Sequence, residues 1–128
     1  MTRWQMFTEW LAEERRARRE RAALSRAAGA FARFYPDWNG ALFDETFLRR
    51  FEPRAILDMQ PGELAEEWAR QFAFSDARRR ERYVARIAVA AARFQDLLAT
   101  ELRRVDEHDV AARRAARTAA ARRPLGQR

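Results

Sequence analysis

The sequence predicts an all-α protein, a small bundle of four to five helices of which two are long. The β-branched residues that strands favour are scarce, with two Ile, four Val and five Thr among 128 residues. Ala, Leu, Arg and Glu, which are good helix formers, dominate the composition instead. Apolar residues also recur three and four apart over long stretches, which is the spacing of one helix face.

The first long helix is predicted over about residues 3–33. Thr2 and Gln5 fit a capping box at its start, in which the hydroxyl and the amide satisfy free backbone N–H groups. Its apolar faces comprise Trp4, Phe7 and Leu11, then Leu24, Ala28, Phe31 and Tyr35. The charged stretch 13–21 between them has almost no apolar face, so we expect a solvated helix there. A break near Gly29 is the alternative to one continuous helix.

Shorter elements are predicted after the turn signal of residues 36–40. One helix is expected over about 42–51, and Pro53 is expected to end it because proline disfavours helix in the residue before it. One further turn is expected over 54–59. Pro61 suits the first position of the next helix, where its missing N–H costs nothing. The apolar stripes of the two helices are Phe43, Phe47 and Phe51, and Leu64, Trp68 and Phe72.

The last long helix is predicted over about 76–110, with Ser75 as its N-cap. Its seam alternates three and four residues apart, as a helix-packing face does. The seam positions are Val84, Ile87, Ala91, Phe94, Leu98, Glu101 and Val105, broadened by Leu97 and Leu102. We expect the two long helices to be antiparallel and to clamp the shorter helices between them.

Positive charge is concentrated at one end of the sequence. All 26 basic residues are Arg, which codon usage in a GC-rich genome explains, so the position of the charge is more informative than its type. Six Arg and no acidic residue follow Asp109, a net charge of +6, whereas the other 109 residues hold 20 Arg against 19 acidic residues. The sequence therefore divides into a helical domain, 1–110, and an Arg/Ala-rich basic tail, 111–128. The helix is predicted to extend into the tail as far as Arg123.

No constellation of an enzyme is recognisable. The chain has no Cys, and its single His108 lies in the run 106–109, whose neighbouring side chains point to different sides of a helix. We interpret this run as a solvated polar turn near the end of the core. Ser25 and Ser75 are far from His108 in sequence, and the four Gly form no phosphate loop. We therefore expect no catalysis, no metal, no cofactor and no small-molecule substrate.

Membrane association is not expected. No apolar run reaches the length of about 18 residues that would span a bilayer, and the first residues lack the apolar core of a signal peptide. The basic tail has no large apolar residue before Leu125, although an amphipathic anchor needs such residues on one face. These features predict a cytoplasmic protein.

Charge placement suggests the function. A block of arginines without acids attracts polyanions, and arginines at helical spacing can follow a phosphate backbone. The predicted phosphate-binding residues are Arg113, Arg114, Arg117, Arg122 and Arg123 in the tail, supported by the stripe Arg79, Arg82, Arg86 and Arg93. The leading hypothesis is a non-catalytic accessory subunit of a larger assembly that binds DNA or RNA with weak sequence specificity. A solvated helix face and a solubilising extension are the alternatives for these residues.

A second hypothesis is a helical protein–protein adaptor or structural subunit. Trp10 lies off the line from Phe7 to Leu11, where a partly exposed aromatic could anchor a partner. The seam from Ala91 to Leu98 would then engage a partner helix. In this hypothesis the basic tail docks on an acidic surface of the partner protein.

Overall fold

The computed structural model describes residues 2–34 and 42–122, and every regular element within these residues is an α-helix. The elements are α1 (Arg3–Phe34), α2 (Glu45–Leu48), α3 (Pro53–Asp58), α4 (Pro61–Ala69) and α5 (Ala77–Ala121). The predicted all-α bundle with two long helices is confirmed. The turn predicted at 36–40, together with Tyr35 and Arg123, lies outside the described residues.

Helix α1 is continuous through Gly29, so the predicted continuous helix is found and the alternative of a break there is not. The predicted capping box is confirmed: the Thr2 N–H donates to Gln5 Oε1 at 2.8 Å, and the Gln5 N–H donates to Thr2 Oγ1 at 3.1 Å. The second apolar face is buried at Leu24 and Phe31, and the first face is exposed. The reason is that only the second half of α1 lies over the core.

The two long helices pack directly against each other and run antiparallel. Arg26 bonds Glu101, whereas Arg19, earlier in α1, bonds Asp109, later in α5. Helix α4 packs along α5, and α3 also touches α5. The prediction that the long helices clamp the short ones between them is therefore wrong, because the apolar seam of α5 is wide enough to receive α1 and α4 side by side.

The core is built around the predicted seam of α5. Ile87, Ala91, Phe94, Leu98 and Val105 are all buried. They pack against a cluster of aromatic rings from other parts of the fold. These rings belong to Phe31 of α1, Phe43, Phe47 of α2 and Trp68 of α4. Edge-to-face packing of such rings supplies most of the apolar area that a chain rich in alanine can bury.

One half-buried polar side chain in this region joins α3 to α5. Gln95 Nε2 donates to the carbonyl oxygens of Ile56 at 2.9 Å and Met59 at 2.8 Å. These carbonyls lie at the end of α3, where backbone oxygens have no partner within the helix. Gln95 therefore fixes the position of α3 against α5.

The segment 42–59 differs from its prediction. The expected helix over 42–51 is reduced to α2, so Phe43 and Phe51 lie outside it. Pro53 does not end a helix but begins α3, where it is the first helical residue. The proline signal is ambiguous because proline is compatible with both a helix stop before it and a helix start at it. Phe72 follows the end of α4 and is half exposed, so it does not extend the stripe of Leu64 and Trp68.

The N-cap of α5 is Asp76 and not the predicted Ser75. Asp76 Oδ1 accepts a hydrogen bond from the Arg79 N–H at 2.8 Å. Ser and Asp are both good N-caps, and the sequence places them next to each other, so only the position where the backbone turns decides between them.

Asp76→Ala is expected to lower the free energy of unfolding by about 1 kcal/mol, because the Arg79 N–H loses its acceptor. Ser75→Ala is the matched control and is expected to change stability by less than about 0.5 kcal/mol. Urea denaturation followed by circular dichroism measures both. An equal loss in the two variants would contradict the assignment of the cap.

Candidate nucleic-acid interface

The two long helices extend together beyond the core. Residues 2–10 of α1 and 110–122 of α5 are exposed throughout, and the last buried residue of α5 is Val105. Since the helices are antiparallel, the start of α1 and the end of α5 lie at the same end of the bundle. We call these two segments, residues 2–14 and 110–122, the distal end.

Several arginines of the bundle body are held by ion pairs that join different helices. Glu20 and Asp106 each bind Arg54, at 2.6 and 2.7 Å, and Asp106 also binds Arg16 at 3.1 Å. Asp109, which is mostly buried, binds Arg19 at 2.6 Å. Pairs of this kind couple α1, α3 and α5 and remove positive charge from the surface field.

Two ion pairs of the body, Arg54–Glu20 and Arg80–Glu66, shift the pKa of one of their partners. The hydrogen bond from Arg54 to Glu20 raises the pKa of that guanidinium above its usual value. The hydrogen bond from Arg80 lowers the pKa of the Glu66 carboxyl. Both shifts stabilise the charged forms, so these arginines are occupied within the fold.

The arginines of the distal end of α5 are different. Arg113, Arg114 and Arg117 are exposed and, among the described residues, none has a carboxylate within ion-pair distance. Arg113 and Arg117 are one turn apart, and Arg114 lies about 100° around the axis from Arg113, so the three share one side of the helix. We call them the distal arginine cluster.

Arg103 extends this cluster toward the body. It is exposed and lies 11 residues before Arg114, which is about three turns and leaves the two side chains about 20° apart around the axis. Both line one shallow hollow together with Glu107 and Val110. The sequence analysis missed Arg103 because it lies in the charge-balanced domain, and only helical register from Arg114 could have found it.

The remaining predicted tail residues lie at or beyond the edge of the cluster. Arg122 is exposed at the end of α5, about 12 Å beyond Arg114 and about 80° around the axis from it. Arg123 lies outside the described residues. The helix itself continues to Ala121, which confirms the predicted helical extension.

The predicted stripe of the body is exposed but separate from the cluster. Arg79 lies 3.9 Å from Asp76, and Arg82 donates to the backbone oxygen of Arg78 at 3.4 Å. Arg86 and Arg93 are exposed on the same side of α5. From Arg93 to Arg113 the helix advances about 30 Å and turns by about 200°, so the two groups of arginines face different directions. One straight polyanion cannot contact both.

Acidic residues modulate the field of the distal end. Residues 2–14 contain one basic residue, Arg3, and three acidic ones, Glu9, Glu13 and Glu14, which gives a net charge of −2. Residues 110–122 contain four arginines and no acidic residue. Glu13 and Arg113 line the same hollow between the helices. Arg113 therefore lies beside an acidic residue of α1, whereas Arg114 lies about 100° further around α5.

The polar run at His108 is not the solvated turn that we predicted. It lies within α5, and its two aspartates bind arginines of α1 and α3. His108 itself is exposed beside Arg104. Among the described residues, no group of three His, Cys, Asp or Glu is arranged to hold a metal ion.

An aromatic stripe occupies the other part of the distal end. Trp4, Phe7 and Trp10 are 70%, 48% and 54% exposed, which confirms the exposure predicted for Trp10. Their ring centroids are 6.0 and 6.2 Å apart in succession, so the three rings form one continuous apolar surface. Phe7, the central ring, lies about 200° around α1 from the buried Ala27 and so faces away from the core side of the helix.

Comparison with known proteins gives no family model that matches the chain, no similar curated protein and no matching solved structure. No helix in the described ranges has the length and apolar character needed to cross a membrane.

Proposed function

We propose that the chain is a non-catalytic accessory subunit that binds nucleic acid through phosphate contacts at the distal arginine cluster. The observation that supports this proposal is the contrast in pairing. Several arginines of the body are held by carboxylates, whereas Arg113, Arg114 and Arg117 have no such partner among the described residues. Unpaired guanidiniums on a projecting helix are available to phosphate oxygens without the cost of breaking an ion pair.

Weak sequence specificity is part of the proposal. The residues of α5 around the cluster are mostly Ala, which cannot hydrogen-bond to base edges. Phosphate contacts fix position and affinity but carry no sequence information. A role within a larger assembly follows, because a subunit of this kind would depend on other components for target choice.

The test is a titration of labelled duplex DNA, single-stranded DNA and RNA by fluorescence anisotropy. Replacing Arg113, Arg114 and Arg117 together with Gln retains helix propensity while removing three charges. Each phosphate contact contributes a slope of about −0.9 in log K against log salt on duplex DNA, so the slope should fall by about 2–3. At about 50 mM salt the affinity should fall on the order of 10³-fold.

The matched control replaces Arg79, Arg82 and Arg93 with Gln, which removes the same charge from the stripe of the body. Retention of affinity in this control, with loss in the cluster variant, supports the proposed site. Loss of affinity in the control, with retention in the cluster variant, would instead assign the binding site to the arginine stripe of the body. Absence of any affinity in the unmodified chain at physiological salt would remove the nucleic-acid function altogether.

A protein–protein adaptor remains the second candidate, and the exposed aromatic stripe favours it. The seam from Ala91 to Leu98 no longer supports it, because these residues are buried in the chain's own core. In this function the α5 extension docks on an acidic protein surface, and the full chain binds no nucleic acid at physiological salt.

A further inference from the structure

We propose that the aromatic stripe is the contact surface between two copies of this chain, which pair antiparallel along residues 3–14 of α1. The stripe consists of three large exposed rings, each in contact with the next along the helix, and its central ring, Phe7, lies on the opposite side of α1 from the buried Ala27. The largest apolar patch of a chain is often an interaction site.

The charges at the two ends of the stripe select the occupant. Arg3 and Glu14 are 11 residues apart and therefore lie on the same side of α1, about 20° apart around the axis. Phe7 lies between them along the helix and within about 40° of both. Among the described residues neither Arg3 nor Glu14 has an ion-pair partner. The stripe thus carries a free positive charge at one end and a free negative charge at the other.

A second copy satisfies both charges at once. When two α1 helices pair antiparallel about a twofold axis, Arg3 of each copy faces Glu14 of the other, and the rings of the two stripes meet between these ion pairs. Parallel pairing would bring Arg3 against Arg3 and Glu14 against Glu14, which is repulsive. The charges of two stripes are therefore complementary when the two helices are antiparallel and repel each other when they are parallel.

The size of the surface predicts a weak dimer. A fully covered aromatic side chain buries about 150–250 Å², and these rings are roughly half exposed, so two stripes with their flanking residues would bury about 800–1,000 Å². This is the lower limit for a specific interface, and dissociation constants there are on the order of micromolar. The dimer should therefore form and dissociate over an experimentally accessible concentration range.

Sedimentation velocity of the full chain, over about 1–200 μM, should show a concentration-dependent change from monomer to dimer. Phe7→Glu places a charge at the centre of the stripe and should abolish the dimer over this range. Val89→Glu is the control, since Val89 is an exposed apolar residue of α5 outside the stripe, and it should leave the dimer unchanged. A dimer that survives Phe7→Glu would overturn the proposal.

Charge reversal tests the orientation. Arg3→Glu and Glu14→Arg should each weaken the dimer about tenfold, since each opposes two like charges across the twofold axis, and the double variant should restore it to within about twofold. Arg3→Glu also places an acid at the start of a helix, where it stabilises the helix, so weaker pairing in that variant would not result from unfolding. Failure of the double variant to restore pairing would overturn the antiparallel arrangement.

Two other occupants would give different results. Vesicles of neutral phosphatidylcholine are added to the unmodified chain while tryptophan fluorescence is recorded. A blue shift with vesicles, for a chain that stays monomeric without them, would assign the stripe to lipid. A dimer that appears only when DNA is added would assign the pairing to nucleic acid, and either result would overturn the proposal.

Discussion

Trp68→Ala is expected to lower the free energy of unfolding by about 3–5 kcal/mol, as truncation of a large buried aromatic does. Trp68 is buried, and its ring packs edge-to-face against Phe47 and Phe43 at centroid distances of 5.1 and 5.7 Å. Its removal opens a cavity between α4 and α5, and it leaves the Tyr83 hydroxyl without the donor that now lies 2.9 Å away. Urea denaturation followed by circular dichroism measures the loss.

Two conservative variants separate the ring from its hydrogen bond. Tyr83→Phe removes only the acceptor and should cost about 1 kcal/mol, the usual net value of one hydrogen bond. Trp68→Phe retains most of the apolar area, so its cost should lie between those of Tyr83→Phe and Trp68→Ala. Unchanged stability in Trp68→Ala would mean that this face of α4 is not part of the core.

Periodicity was sufficient to predict the core side of the last helix. The positions from Ile87 to Val105 repeat three and four apart over five turns, and over that length no other helical register buries the same apolar set. The start of α1 shows the limit of the same signal. Trp4 and Phe7 have the spacing of a core face, yet they are exposed, because the buried residues of α1 all lie in its second half.

Ion pairing could not be predicted from local spacing. Glu14 and Arg18 have the i,i+4 spacing of a pair within α1, but the structure instead pairs Arg16 with Glu20 and with Asp106, 90 residues away. Pairs across the bundle depend on how α1 and α5 are aligned along each other. That alignment is decided by the packing of the whole core, and no window of sequence contains it.

The candidate site was only partly predictable for a similar reason. Counting charges was enough to locate the basic segment after Asp109, because a net charge can be summed without knowing where each side chain points. Placing those arginines around one helix required the register of α5, which continues without interruption to Ala121. The prediction also assigned the arginine stripe of the body and the arginines of the tail to one binding surface. In the structure the long helix α5 separates the two groups in distance, and they face different directions.

The backbone at Phe43 is the feature least expected from the sequence. The four-residue spacing to Phe47 predicted a helical Phe43, but its φ is 54°, in the left-handed region. Its ring is nevertheless buried and packs against Phe31, Phe47, Trp68 and Phe94. The left-handed turn directs a ring from outside any helix into the centre of the aromatic cluster, and burial offsets the local strain.

Phe43→Ala is expected to lower the free energy of unfolding by about 3–5 kcal/mol, through loss of the buried ring. Phe43→Gly removes the same ring, and at most positions it would be worse than Ala by about 0.5–1 kcal/mol. Here the order should reverse: a left-handed backbone costs a residue with a Cβ about 1–2 kcal/mol, and Gly avoids this cost. The Gly variant should thus be about 1 kcal/mol more stable than the Ala variant in urea denaturation, and the usual order would contradict the left-handed conformation.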